Sequence, residues 1–138
     1  MKKFIILATL MIWTALAIFG WYYINQPVGS LESVKPDYTV SSPVFYAMFN
    51  ENEEAANQQY LGKVIEVSGT VETITVEENG QMSITLSGDD MFGVSCKMTA
   101  GSEQMAKQIN KGDGIVVKGR CSGKLMDVVL VNCSLQKS

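Results

Sequence analysis

The stretch YLGKVIEVSGTVETITV, residues 60–76, decides the fold. Inward positions recur at Ile65, Val67, Gly69 and Val71 and then change parity, because the next apolar residues are Ile74 and Val76. A strand has a side-chain period of two, so the change needs one extra residue, and a bulge or sharp bend is expected near Glu72 and Thr73. A long first strand with such a bend is how a small barrel turns a corner.

Outward from that stretch the strands follow in order. Asn79-Gly80 marks a hairpin turn, after which Met82, Ile84 and Leu86 form the inward side of a second strand. Gly88-Asp89-Asp90 turns the chain into Phe92, Val94, Cys96 and Met98 of a third. The segment KGDGIVVKGRCSG, residues 111–123, reads as a fourth strand with Ile115, Val117, Gly119 and Cys121 inward and Lys118 and Arg120 outward. On that reading Val117→Asp is damaging and Lys118→Asp is tolerated as a surface change. A fifth strand is expected to point Val129, Val131, Cys133 and Leu135 inward. Between the third and fourth strands, SEQMAKQIN (residues 102–110) reads as a helix capped by Ser102, with Met105 and Ile109 on one face. The fold class is therefore mainly β: a five-stranded OB-fold barrel with a helix between strands three and four.

Ahead of the barrel, Ser42 and Pro43 provide a cap and a favoured first residue for an amphipathic helix running to about Tyr60. Its apolar face carries Phe45, Met48, Phe49, Asn52, Ala56 and Tyr60, and Gly62 stops it. Glu51, Glu53 and Glu54 lie off that face and read as a solvated surface. The OB-fold domain with its leading helix spans residues 42–138. Residues 25–41 (NQPVGSLESVKPDYTVS) read as an extracytoplasmic linker, rich in Pro, Gly and Ser and without an apolar period.

Residues 1–24 read as a transmembrane anchor. Phe4 to Ile24 carries no charge, and about 20 helical residues span the hydrocarbon core of a bilayer. Lys2 and Lys3 precede the run and no basic residue follows until Lys35, which puts the N-terminus in the cytoplasm and the domain in the periplasm of a bacterial cytoplasmic membrane protein. Ala15-Leu16-Ala17 would also suit signal peptidase, but Trp21, Tyr22 and Tyr23 sit where an outer aromatic belt holds a retained helix. Beyond the anchor nine basic residues face fourteen acidic ones. Counterion release by Lys and Arg drives nonspecific nucleic-acid binding, so this balance disfavours a nucleic-acid partner.

Taken together, FNENEEAANQQYLGKVIEVSGTV, GVSCKM and KGDGIVVKGRCSGKLMDVVLVNCSL resemble the tRNA_anti-like family of OB-fold proteins, over roughly residues 42–135. Many members are described as membrane-anchored proteins or lipoproteins of unknown function. The resemblance implies the barrel and, by analogy with anticodon-binding barrels, nucleic-acid binding. It transfers no established activity. The first cysteine is Cys96, so the acylation cysteine of the lipoprotein members has no counterpart at the end of the apolar run.

The chain has no histidine, which removes Ser-His-Asp and Cys-His pairs, His-based zinc sites and the commonest general base. It also separates the chain from the membrane-anchored OB-fold haem chaperone of cytochrome c maturation, whose haem-attaching histidine is lacking. An enzyme would need carboxylates such as Asp89, Asp90 or Asp127 with an oxygen-seeking metal, and adjacent acids on a turn usually just form the turn. No catalytic residue, metal or cofactor is expected.

Cys96, Cys121 and Cys133 lack C-x-x-C spacing and by parity face the interior. Core packing or one disulfide, of Cys133 with Cys121 or Cys96, are both open in an oxidising compartment. Lys63, Lys118 and Arg120 are expected on the outer faces of neighbouring strands, with Lys124 in the next loop, as a basic strip or as ordinary surface charge. Bases stack on aromatic platforms, and after Tyr60 the only aromatic is Phe92, placed inside by parity. Leu125 and Met126 are apolar in a loop that ought to be wet, so they either close the barrel mouth or meet a partner. The leading expectation is a non-enzymatic binding module of unknown ligand that contacts an envelope protein, peptide or glycan; the alternative is a nucleic-acid-binding OB domain.

Overall fold

In the computed structural model, which describes residues 1–24, 31–100, 104 and 107–136, six strands form one sheet that closes on itself. They are β1 (Tyr38–Ser41), β2 (Val64–Val76), β3 (Met82–Ser87), β4 (Gly93–Met98), β5 (Gly114–Lys124) and β6 (Val128–Gln136). The order is β1-β2-β3-β4-β6-β5, and β5 returns to pair with β2. The last five strands are the closed OB barrel, and β1 is an extra strand.

The 13-residue β2 holds the barrel together by serving two partners. Its first half, Val64 to Thr70, pairs antiparallel with β5, and its second half pairs with β3. The register with β3 slips between Val71 and Thr73, so Glu72 is the extra residue that the parity change required. In the hairpin that follows, the Gly80 N–H donates to the Glu77 carbonyl and only Gly80 is left-handed, at φ 83°. Asn79 keeps a negative φ, so the loop is a three-residue turn closed by a left-handed glycine and not the two-residue form.

Two helices plug the barrel where one was expected: α2 (Ser42–Glu51) and α3 (Glu53–Tyr60). Asn52 breaks them with extended backbone, and its Oδ1 accepts from the Ala55 N–H at 3.0 Å, capping α3. The cap of α2 is Ser41, whereas the buried Ser42 hydroxyl donates to the Ser87 carbonyl at 2.6 Å and ties the helix start to β3. Phe45 and Phe49 meet edge to face at 5.3 Å, both fully buried, each contributing about 1.5–3 kcal/mol of burial. Tyr46 is buried as well, while Met48 and Asn52, expected on the inner face, are exposed.

The chain ahead of the helices is more ordered than a linker. β1 runs parallel to β2, Asp37 Oδ2 accepts from the Val64 N–H at 2.9 Å, and the Tyr38 ring stands edge-on to Tyr60 at 4.9 Å. A 3-10 turn, Leu31–Ser33, lies against β5 and β6 with Leu31 buried. Residues 31–41 therefore belong to the domain, and residues 25–30 of the expected linker lie outside the described residues.

Strand β6 corrects the expected parity. Val128 and Leu130 are fully buried, and Val129 and Val131 point outward. Asn132, at φ 54°, is an extra residue between the pairs Arg120–Val131 and Lys118–Ser134, after which Cys133 faces inward as expected. The expected helix over 102–110 lies largely outside the described residues. At the N-terminus α1 (Lys2–Ile24) is long and apolar enough to cross a membrane, and none of its residues is buried.

Candidate binding surface

The turn between β3 and β4 and the loop between β5 and β6 meet at one end of the barrel. Asp127 joins them, its Oδ1 accepting the Gly93 N–H at 2.8 Å. Within the first turn Asp89 Oδ1 accepts from the N–H groups of Phe92, at 2.7 Å, and Met91, at 2.8 Å. These two bonds hold the Asp89 carboxyl below the usual carboxylate range, with smaller help from the Tyr46 hydroxyl and Lys124. Burial and the neighbouring Asp89 push the Tyr46 phenol up in turn. Glycine is required here: a Cβ on Gly88 would stand 2.7 Å from Gly93 Cα and 2.9 Å from the Tyr46 ring.

This polar frame holds apolar side chains out to solvent. Leu125 is 87% exposed, Met126 66% and Met91 77%, on the two loops that Asp127 ties together. Lys124, beside them, is fixed: its Nζ donates to Asn50 Oδ1 at 3.3 Å and lies 5.3 Å from the centre of the Tyr46 ring. Lys124, Leu125 and Met126, consecutive in the loop, share this end of the barrel. Nothing in the sequence pointed to Tyr46 and Asn50 as the groups that position Lys124, since both come from a helix about 75 residues upstream.

The basic strip does not form. Lys118 points to the outer side of β5 but is buried at 5% exposure, beside the buried Ser134, and it is partnered within the protein. The segment that packs Leu31 against β5 and β6 converts this outer face into an interior one. Arg120 is exposed, but its Nη1 donates to the Gly62 carbonyl at 2.6 Å. Lys63 is exposed in the turn leading into β2. The outer face of β2, β3 and β4 presents hydroxyl groups in register: Thr73 opposite Thr85 opposite Ser95, and Thr75 opposite Ser83 opposite Lys97.

Two hollows remain. The broader, about 950 Å³, is bordered by Ser41, Ser87, Gln108 and Asp113, and the candidate binding residues Lys63, Lys118, Arg120, Lys124, Leu125 and Met126 lie outside its lining. The second, about 510 Å³, is a groove between α3 and the outer face of β5 and β6. Leu125 and Lys124 line it together with Leu61, Val129 and Val131.

All three cysteines are buried and unbridged. Cys133 lies against Cys96, and burial together with that neighbour pushes its thiol well up. Of the two partners considered for Cys133, this is the one its thiol contacts.

The model of the tRNA_anti-like family matches residues 1–135. A structure from Klebsiella pneumoniae subsp. pneumoniae, described as a "putative nucleic acid-binding lipoprotein", is similar at TM-score 0.60 and 18% identity, covering 71% of this chain and 91% of that one. The S. pombe Stn1-Ten1 complex is similar at TM-score 0.42 and 15% identity, covering 54% of this chain and 59% of that one. No curated protein matches.

Proposed function

The chain belongs to the tRNA_anti-like family of OB-fold proteins, and from that premise we propose a membrane-anchored, non-catalytic binding module that presents its barrel outside the cytoplasm to an envelope protein, peptide or glycan. One observation carries the reading: Met91, Leu125 and Met126 are held in solvent by a frame of buried or hydrogen-bonded polar groups. Exposed apolar side chains on a fixed support favour a partner with apolar surface. The lysines ahead of α1, with no basic residue after it until Lys35, support the outward orientation.

The Klebsiella protein's description makes nucleic acid the competing ligand. Electrostatics and stacking both weigh against it in this chain. Lys118 is interior, Arg120 is bonded to a backbone carbonyl, and the outer face of β3 and β4 offers hydroxyls where stacking platforms would be needed.

A photo-crosslinking residue at Leu125 in the full chain, expressed in its membrane, should give a discrete adduct that Met126→Asp abolishes. If no adduct formed, if a glycan array stayed silent, and if a labelled single strand bound with a steep salt dependence, the competing reading would replace this one.

A further inference from the structure

We propose that the groove between α3 and the β5–β6 face takes an aliphatic residue from an extended, acidic segment of a partner protein, with a backbone N–H of that segment bonding to Asn57 Oδ1. The inference rests on the binding-module reading and names the partner chemistry for one surface of it. Asn57 Oδ1 is a buried acceptor without a hydrogen-bond partner. It lies beside Gly123, which has no side chain to fill the space: a Cβ there would sit in ordinary contact, 3.5 Å from Oδ1 and 3.6 Å from Leu61 Cδ1. A buried acceptor left unmade is costly, and water does not reach this one. Turning the amide about χ2 toward the groove breaks no bond at Oδ1 and gains one as soon as a donor arrives.

The walls decide which donor. Leu61, Leu125, Val129 and Val131 are aliphatic, and the two valines face outward because β6 reverses its parity only at Asn132. A phosphate or carboxylate supplies no N–H, and a sugar supplies donors without an aliphatic side chain to cover the wall. An extended peptide supplies both at adjacent positions. The rim carries Lys97 and Lys124 against Glu53, a positive bias on a domain that is otherwise acidic, so acidic residues should flank the aliphatic one.

The test is methyl and amide NMR of the full chain in nanodiscs, titrated with N-acetyl-Asp-Leu-Asp-amide. Saturable shifts are expected at the Asn57 side-chain amide and the methyls of Leu61, Val129 and Val131. N-acetyl-Lys-Leu-Lys-amide should bind several-fold more weakly. Asn57→Leu should lower affinity about fivefold, the share of one hydrogen bond, while leaving the melting temperature unchanged or higher because an unmade acceptor has been removed. Val131→Asp, on the outer side of β6, should abolish the shifts in a folded protein and serves where Asn57→Leu does not fold. Silence of the groove toward the Asp-Leu-Asp peptide, or shifts there with maltotriose or an oligothymidine instead, overturns the proposal. So does an Asn57→Leu variant of undiminished affinity. A groove that fails while the Leu125 adduct persists removes this inference and leaves the binding-module reading standing.

Discussion

The ammonium of Lys124 stands 5.3 Å from the centre of the Tyr46 ring, which places the base of the β5–β6 loop on a helix that precedes the barrel. The contact joins residues 78 positions apart and fixes the stem of the loop, whereas the tip residues Leu125 and Met126 stay in solvent. Replacing either tip residue by Asp should therefore move the melting temperature little, roughly 0.5 kcal/mol or less in stability, and Met126→Asp should still abolish the Leu125 adduct with a partner. Thermal melts alongside the crosslinking assay check it; a large loss of stability would make the tip a barrel plug.

The acid side of that frame has a predictable pH response. The folded Asp89 carboxyl titrates below its ordinary value because two backbone N–H groups favour the charged form. A lowered folded pKa contributes stability that is present above the unfolded value, about pH 4, and is lost as pH falls through the folded value. Asp89→Asn should melt below the parent at pH 7, with the gap closing as pH falls below about 4. A gap independent of pH would mean that the side chain acts through shape alone.

Strand β5 provides a sharper contrast. Val117 is fully buried, and Val117→Asp should cost several kcal/mol or force the carboxyl to stay protonated. Lys118→Asp, which parity alone would make harmless, should also destabilise strongly, because Lys118 is interior and partnered. Lys63→Asp should change stability by about 0.5 kcal/mol or less as an exposed substitution. Urea melts of the three variants decide it, and a tolerated Lys118→Asp would show that the Leu31 turn does not seal that face.

These residues also show what the sequence could and could not convey. The bulge at Glu72 was legible because the strand on either side alternates cleanly, so one extra residue leaves a visible phase change. Residues 128–131 are VVLV, apolar at every position, and such a run has no phase to read. The inward set expected there is therefore one residue off, and only the backbone turn at Asn132 restores Cys133 to the interior. Lys118 departs from its expected exposure for another reason: parity says which side of a strand a residue takes but not whether that side is covered. The cover comes from the turn Leu31–Ser33, inside a stretch whose composition reads as a linker. Leu125 and Met126 were legible as apolar residues in a loop, whereas Asn57 carried no signal, since an amide without a partner is a property of packing.

Glycine positions separate close approach from ordinary surface. A Cβ on Gly93 would overlap the Leu86 carbonyl oxygen, a backbone atom that cannot step aside without breaking the start of β4. Gly93→Ala should cost about 1–3 kcal/mol or more through overpacking and weaken the Asp127 bond to its N–H. Gly114 has open space around the same position and no positive φ, so Gly114→Ala should be neutral or slightly stabilising. Melting temperatures of the pair settle the comparison, and equal effects would contradict the tight β3–β4 turn.

The buried thiols give a chemical readout of the core. Cys96 and Cys133 are fully buried and Cys121 nearly so, and burial raises the thiols of Cys121 and Cys133 above their ordinary value. The thiolate is the reactive form, so access and ionisation both suppress alkylation in the native state. Native full-length protein treated with N-ethylmaleimide near pH 7.5 should remain unmodified by intact mass over the time in which a denatured sample takes up three adducts. If protein made in an oxidising compartment took up one adduct when denatured without reductant, a disulfide would be present, and its partners should be Cys96 and Cys133, leaving Cys121 as the modified residue. Rapid native labelling of Cys133 would instead mean that the barrel opens along the β4–β6 seam, where the parallel register slips between Cys96 and Met98.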